Sequence, residues 1–537
     1  MEDTDPEQEE FLSLSLAITT TDAAAVTAST SEKRSNNKGK NPKDPYELVE
    51  EVNIEEKVFS FLQMREQILR QGGSSSVSLF EAEQDGTNDE RRHRLIHLLL
   101  NTATAVEDND VGSALEKLNE LYKSVSLTGD SVQRLVAYFA DGLTVRILIN
   151  LTSNLSKSLS QILLYAEKIL KESPTREEEF LAFTYLYRVS PYYQFAHFTA
   201  NQAIIEAFDG EQETNNGVGA LHVIDFDVSY GFQWPSLIQS LSEKASSSSS
   251  SRTGMVSLRI TGFGRSIEEL QETESRLVSF SSGFHNLVFE FQGFLRGSNI
   301  NYLNLVNLMR KRKNETLAVN LVFHLSTLSN FLKISDTLRF VHSLNPSIVL
   351  LVEQEGIFPS TNTTTTSSRR SSCFSLMESV QYFEAIFDSL DDCLPRESTE
   401  RLSIEKNFLG KQIKSMVNFY GDRNEMDQDY LDGGVNVMME SHYCNTPKRY
   451  ESMETWKTRM LCHGFVGTEM SSKSMIQAKL LLKIRSSTHY CPELQFDHDQ
   501  ESGGGRGFRV WERDEGRAIS LGWQNTFLLT ASAWHFV

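Results

Sequence analysis

The segment Leu221-His222-Val223-Ile224-Asp225-Phe226-Asp227 has the composition of a buried strand that ends in acids. In an open α/β sheet such a strand brings its terminal carboxylates to the carboxyl edge, where ligands bind. A nucleotide or S-adenosylmethionine site also needs a glycine-rich turn, so that the backbone can approach the ligand. Here the turn is Val228-Ser229-Tyr230-Gly231, with one glycine. Gly262-Phe263-Gly264 follows the next apolar run but lacks the third glycine of a dinucleotide fingerprint. The other role open to Asp225 and Asp227 is to hold the turn by side-chain hydrogen bonds to backbone amides. The shortage of glycine favours that role, with Asp225 and Trp234 structural.

Other templates for chemistry are weaker. Glu353 and Glu355 follow an apolar run, and residues two apart on a strand share a face. Without a partner acid, base or metal cluster, bonding to neighbouring loops is the simpler role for both. There is no Gly-x-Ser-x-Gly elbow and no phosphate-binding loop. His-Tyr-Cys occurs twice, at His442-Tyr443-Cys444 and His489-Tyr490-Cys491. Four such ligands suit tetrahedral zinc, but the spacing is not that of a common zinc module. The remaining cysteines, Cys373, Cys393 and Cys462, form no Cys-x-x-Cys pair, which suggests reduced thiols in an intracellular protein. The expectation is no catalytic, metal or cofactor site.

Several features suit macromolecular partners instead. Leu95-x-x-Leu98-Leu99 is a leucine triplet of the kind that lies in a partner's groove, or else the core face of a helix. Arg310-Lys311-Arg312-Lys313 is a candidate nuclear-import signal or a solvated turn, and the looser basic stretch 33–43 has the same two roles. Leu12, Leu14 and Leu16 alternate with serines, so an extended backbone puts all three on one side. The net charge of −20 is the wrong sign for non-specific coating of nucleic acid, although a local basic groove is compatible with it. No secretory signal and no apolar run of about eighteen residues is present, so neither secretion nor membrane spanning is expected.

The elements that would position these residues fall into three zones. Residues 1–90 are acidic, then Thr/Ala-rich, then basic and polar, and are expected to form a mostly disordered arm with a short helix within 49–69. From residue 91 to about 210 apolar residues recur at helical spacing. Three of those stripes, between Leu95 and Ile147, exceed what one sheet face needs, so part of them is expected to meet a partner subunit. Beyond residue 218 strands alternate with helices: 221–226, 256–261, 287–291, 317–323, 348–353, 479–484 and 527–534 read as strands. Helices are expected from Trp234-Pro235, from the capping box Ser266-x-x-Glu269, near 331–342 and over about 374–390. The alternation implies an α/β fold with a mainly parallel sheet and flanking helices.

These residues resemble a plant family. Leu221-His222-Val223-Ile224-Asp225 is similar to the Val-His-Ile-Ile-Asp signature of the GRAS family, and Gly231-x-Gln233-Trp234-Pro235 extends it. Leu258 to Gly262, Asn320 to Phe323, Leu344-Asn345-Pro346 and Val352 to Glu355 follow in family order. So do Phe387-Asp388-Ser389-Leu390, Glu454-x-Trp456-x-x-Arg459-Met460 and the terminal Ser532-Ala533-Trp534. The chain is identified as a scarecrow-like member, with a GRAS domain over 91–537. The resemblance implies a first leucine-rich region near 91–152, a Val-His-Ile-Ile-Asp region near 190–257 and a second leucine-rich region near 270–303. A Pro-Phe-Tyr-Arg-Glu region near 317–418 and a Ser-Ala-Trp region near 421–537 complete it. It implies a Rossmann-like, methyltransferase-like core under an N-terminal helical cap. It also implies a nuclear transcriptional regulator that forms homo- or heterodimers with other GRAS proteins and binds DNA-binding transcription factors, with DNA itself a further partner. Leu12, Leu14 and Leu16 resemble the Leu-x-Leu-x-Leu motif that docks into Topless-type co-repressors. The alternative on the same core is a small-molecule-binding protein or methyltransferase.

Overall fold

The hydrophobic runs that alternate with helices join one nine-stranded sheet, eight strands in the order β3-β2-β1-β4-β5-β9-β8-β7 and β6 attached to β9. The structure, a computed structural model, describes residues 58, 60, 62–69, 88–154, 168–169, 172–214, 219–247, 255–296, 306–328 and 331–356 (308 and 313 excepted), 368–419, 450–488 and 507–536. The strands are β1 (Gly219–Asp225), β2 (Val256–Gly264), β3 (Leu287–Leu295), β4 (Glu315–Val322) and β5 (Ile348–Gln354). These five run parallel. β1, β4 and β5 are buried on both faces, which is why they read as unbroken apolar runs and not as alternation. The C-terminal strands β6 (Phe465–Thr468), β7 (Phe508–Arg513), β8 (Ala518–Trp523) and β9 (Thr526–Phe536) pair antiparallel, and β9 joins β5.

The crossovers supply helices for both faces. α4 (Arg176–Val189) and α5 (Pro191–Thr214) precede β1, and α6 (Trp234–Ser247), α7 (Ile267–Ser281) and α8 (Phe331–Ser343) follow β1, β2 and β4. Ser266 caps α7, with the Glu269 amide donating to Ser266 Oγ at 3.1 Å, while the Glu269 carboxylate of the expected capping box turns to Arg265, whose Nη2 donates to it at 3.0 Å. Strand order reverses between β1 and β4, the topological switch point of an open α/β sheet. Residues 221–225 therefore lie on the middle one of the five parallel strands.

The cap is built from two distant parts of the chain. α1 (Asn88–Glu107), α2 (Val111–Ser124) and α3 (Ser131–Asn154) pack together. Against them lie α9 (Ser368–Cys393), α10 (Thr399–Ile404), a π turn at Glu405–Leu409 and α11 (Gly410–Phe419). Asp130 starts α3 by accepting the Gln133 amide at 2.9 Å. Buried charges join the halves: Arg134 reaches Glu405 at 3.0 Å and Asp391 at 2.5 Å, and Arg401 reaches both Glu405 oxygens at 2.9 Å. The apolar excess of the N-terminal stripes, expected to meet a partner subunit, is thus covered from within the same chain. Residues 62–69 are helical, and Arg65, 1% exposed, reaches Asp141 of α3 at 2.5 Å. Folded structure hence begins upstream of residue 91, where the arm was expected to end.

One expected strand is a helix. Residues 479–484 lie within α13 (Ser472–Thr488), which follows α12 (Met453–Cys462) and packs on α5 and β7. Ser474, Ala478 and Leu481 face inward, while Ile476, Leu480 and Ile484 face outward. Apolar residues on both sides erase the 3.6-residue spacing, so Leu480-Leu481-Leu482 imitates a buried strand. The residues 421–449 and 489–506, which hold both His-Tyr-Cys tripeptides, lie outside the described residues, as do Leu12, Leu14, Leu16 and Lys313.

Candidate functional site at the sheet switch point

β1 delivers Asp225 to the switch point, and the turn after it brings Trp234 back over the same carboxylate. Trp234 Nε1 donates to Asp225 Oδ2 at 3.1 Å. Asn320 Nδ2, from β4, donates to Asp225 Oδ1 at 3.0 Å, and the Asp227 amide donates to the same oxygen at 3.2 Å. Asn320 also exchanges bonds with Gln233 at 3.1 and 3.2 Å, and Gln233 Nε2 donates to Asn201 of α5 at 3.1 Å. Asn201 closes the chain by donating to the Gln233 carbonyl and to Ser236 Oγ. Asp225, Gln233, Trp234, Asn201 and Asn320 are all buried. These buried side chains satisfy one another at the carboxyl ends of β1 and β4.

The glycines of this region have packing roles. Gly231 sits at φ +71, and a Cβ there would come within 2.6 Å of Thr273 of α7. It turns the chain in the left-handed region so that Trp234 can fold back. A Cβ on Gly264 would overlap Leu270 at 2.7 Å, so that glycine admits α7 close to β2. Phe226 stacks on Phe263 with ring centroids 5.5 Å apart, and Phe294 follows at 5.9 Å from Phe263. Aromatic rings thus cover the ends of β1, β2 and β3.

Burial shifts the titration of this region. The Asp225 carboxyl is pushed up to about 7 by burial first, with the Asp227 charge adding to it and the Asn320 bond opposing. For Asp227 burial acts upward too, but Arg296, 2.5 Å away, and Arg265 bring it below the usual carboxylate range. His222 donates to or accepts from Thr261 Oγ1 at 2.9 Å and is pushed down to about 3 by burial, with Arg259 and Arg312 nearby. Leu221, Val223 and Ile224 are core residues. All five side chains of the segment 221–225 are thus buried within the fold.

The other sequence candidates are dispersed. Glu353 accepts the Ser326 amide at 3.1 Å, and Arg513 Nη1 reaches both Glu355 oxygens at 2.6 and 2.7 Å. They border a cavity of about 20 Å3 with Glu451, Trp456 and Lys457, room for about one water. Ser532 and Trp534 bond to each other at 2.9 Å, and Ala533 is buried in the β5–β9 seam. Leu95 and Leu99 lie in the core and Leu98 packs against it. Arg310 is exposed, Lys311 pairs with Glu211 at 2.8 Å and reaches Ser347 at 3.0 Å, and Arg312 lies 3.9 Å from Glu290. Among the described residues no group of three or more His, Cys, Asp or Glu side chains is placed to hold a metal ion, and no helix is long and apolar enough to cross a membrane.

Fold and site together define a Rossmann-like α/β protein whose switch point holds a bonded network of buried side chains and whose helical cap is tied down by buried charges. The chain matches the GRAS domain family over residues 95–430 and 420–535, and it belongs to that family. It is 31% identical over 472 residues to Scarecrow-like protein 18 of Arabidopsis thaliana, covering 82% of this chain and 91% of that protein. It is 30% identical over 468 residues to the DELLA protein GAIP of Cucurbita maxima, covering 85% of this chain and 64% of that protein. Among solved structures, SCL7 of Oryza sativa shares the fold at a TM-score of 0.57 and 24% identity, over 82% of this chain and 99% of that one. The relatives are plant regulatory proteins by name.

Proposed function

We propose that this chain is a nuclear transcriptional regulator that acts through protein contacts and catalyses no reaction. The observation that supports this is the bonded network at the switch point: Trp234, Asp225, Asn320, Gln233 and Asn201 are linked by hydrogen bonds at the sheet edge where open α/β folds take up ligands. Other GRAS proteins, as homo- or heterodimer partners, and DNA-binding transcription factors are the proposed partners, with DNA a further one. The test is thermal unfolding of the intact protein with S-adenosylmethionine or nicotinamide cofactors at up to millimolar concentration. No shift is expected; a saturable rise in Tm would overturn the proposal, because a ligand that binds only the native state must stabilise it.

Leu12, Leu14 and Leu16 are proposed to dock into a Topless-type co-repressor. Burying three leucines supplies roughly 4–8 kcal/mol before ordering costs, which suits micromolar affinity. Residues 1–40 tethered upstream of an active reporter in plant cells should repress it, and changing the three leucines to Ala together should abolish repression. Nuclear import through Arg310 to Lys313 is tested by replacing the run with Ala in a fluorescent fusion of the intact chain. Nuclear exclusion of the variant is the expected result.

A further inference from the structure

We infer that the outer face of α13 is a docking surface for an acidic amphipathic helix of a partner protein. The inner face is already engaged, since Ser474, Ala478 and Leu481 are buried against α5 and β7. On the outer face Ile476, Leu480 and Ile484 stand at i, i+4 and i+8, and are 62%, 51% and 55% exposed. Residues at that spacing form one continuous stripe along a helix. A single exposed aliphatic side chain needs no explanation, but three in line on one helix are the pattern of helix-to-helix recognition.

Charge identifies the occupant. α13 contains Lys473, Lys479, Lys483 and Arg485 and no acidic residue, in a chain of net charge −20. Arg485 points away from the stripe, to the carbonyls of Tyr187 and Arg188. Lys473, Lys479 and Lys483 are exposed on the same outer side as the aliphatic stripe. A partner helix with aliphatic residues on one face and glutamates or aspartates beside them meets both features at once, the stripe by burial and the lysines by ion pairing. Nucleic acid would use the lysines but leave the aliphatic stripe in water. An anionic membrane would take both, but it would be repelled by the remainder of this acidic chain. This inference rests on the protein-contact reading of the chain and adds the chemistry of one partner.

The test uses the full-length protein and a fluorescein-labelled 21-residue designed helix with leucines on one face and glutamates beside them. A second peptide carries lysine at every glutamate position. Saturable binding of the acidic peptide is expected, and at least tenfold weaker binding of the basic one. Ile476→Gln, Leu480→Gln and Ile484→Gln together should weaken the acidic peptide at least tenfold. Lys473→Glu, Lys479→Glu and Lys483→Glu together should reverse the preference between the two peptides. All six positions are exposed, and circular dichroism melting checks that each variant folds. Equal binding by wild type and both variants would overturn the inference. So would binding to vesicles of phosphatidylserine and phosphatidylcholine in place of the peptide, loss of self-association in the variants, or peptide binding only after residues 489–506 are deleted. A Tm rise with S-adenosylmethionine would instead strike at the non-enzyme reading and leave this face untouched.

Discussion

Replacing Asp225 by Asn separates two effects on one carboxyl group. Three donors face it, which favours the charged form, yet burial dominates and pushes it up to about 7. A carboxyl raised in the folded state holds its proton more tightly there than in the unfolded chain, where its value is near 4. Its contribution to stability is therefore full below about pH 4 and is lost as pH rises through about 7. The wild type should lose about 1.4 kcal/mol per pH unit at this group across that window, and Asp225→Asn should not. Urea unfolding of both proteins at pH 5 and 7 checks this: the difference between them should move in favour of the variant by roughly 2–3 kcal/mol. A constant cost for the lost acceptor, about 1–3 kcal/mol, sits beneath that swing. Asp225 and Trp234 were each legible as residues of this turn, because a strand-end acid precedes a turn poor in glycine, though not as bonded partners. Asn201 was not, because an asparagine in a helical stripe carries no sign of which distant strand it will meet.

At the scale of elements, residues 62–69 show how a short helix can matter through one side chain. Arg65 is buried and reaches Asp141 at 2.5 Å and Glu172 at 2.8 Å, while Lys414 reaches the other Asp141 oxygen at 2.5 Å. Burial alone would raise the Asp141 carboxyl, but Arg65 and Lys414 hold it below its usual value. Arg65→Ala leaves the Asp141 charge buried with one partner, and the expected cost is about 3–5 kcal/mol of unfolding free energy. Arg65→Met with Asp141→Leu removes both charges and should recover most of it, since a buried pair exchanged for apolar groups of similar volume is often neutral. Chemical denaturation of the three proteins decides it. The irregular apolar pattern over 49–69 predicted a short helix, but nothing local marked Arg65 as buried. An arginine is ordinarily a surface residue, and only the partner supplied by α3 makes its burial tolerable.

Across the whole molecule, acid should unfold this protein through its buried histidines. His197, His222 and His324 are each pushed down to about 3, burial being the main cause in all three. A histidine lowered in the folded state contributes stability that is present above about pH 6.5 and is lost as pH falls toward 3. Each takes up a proton on unfolding in that window, worth up to about 1.4 kcal/mol per pH unit, while Asp225 acts in the opposite sense. Unfolding free energies measured between pH 7 and 5 should fall steeply, and a flat profile would contradict the burial of these rings. Their burial is one consequence of how the chain closes on itself. By itself the sequence determined the alternation of strand and helix, the strand at 221–226, the cap at Ser266 and the family. All of these depend on neighbours within a few residues or on an ordered set of motifs. Tertiary structure alone decided that α13 is a helix, that residues 368–419 complete the cap, and that Trp234, Asn320, Gln233 and Asn201 meet at the switch point. In each case the deciding contact joins residues far apart in the chain, and local spacing holds no record of which surface will cover which.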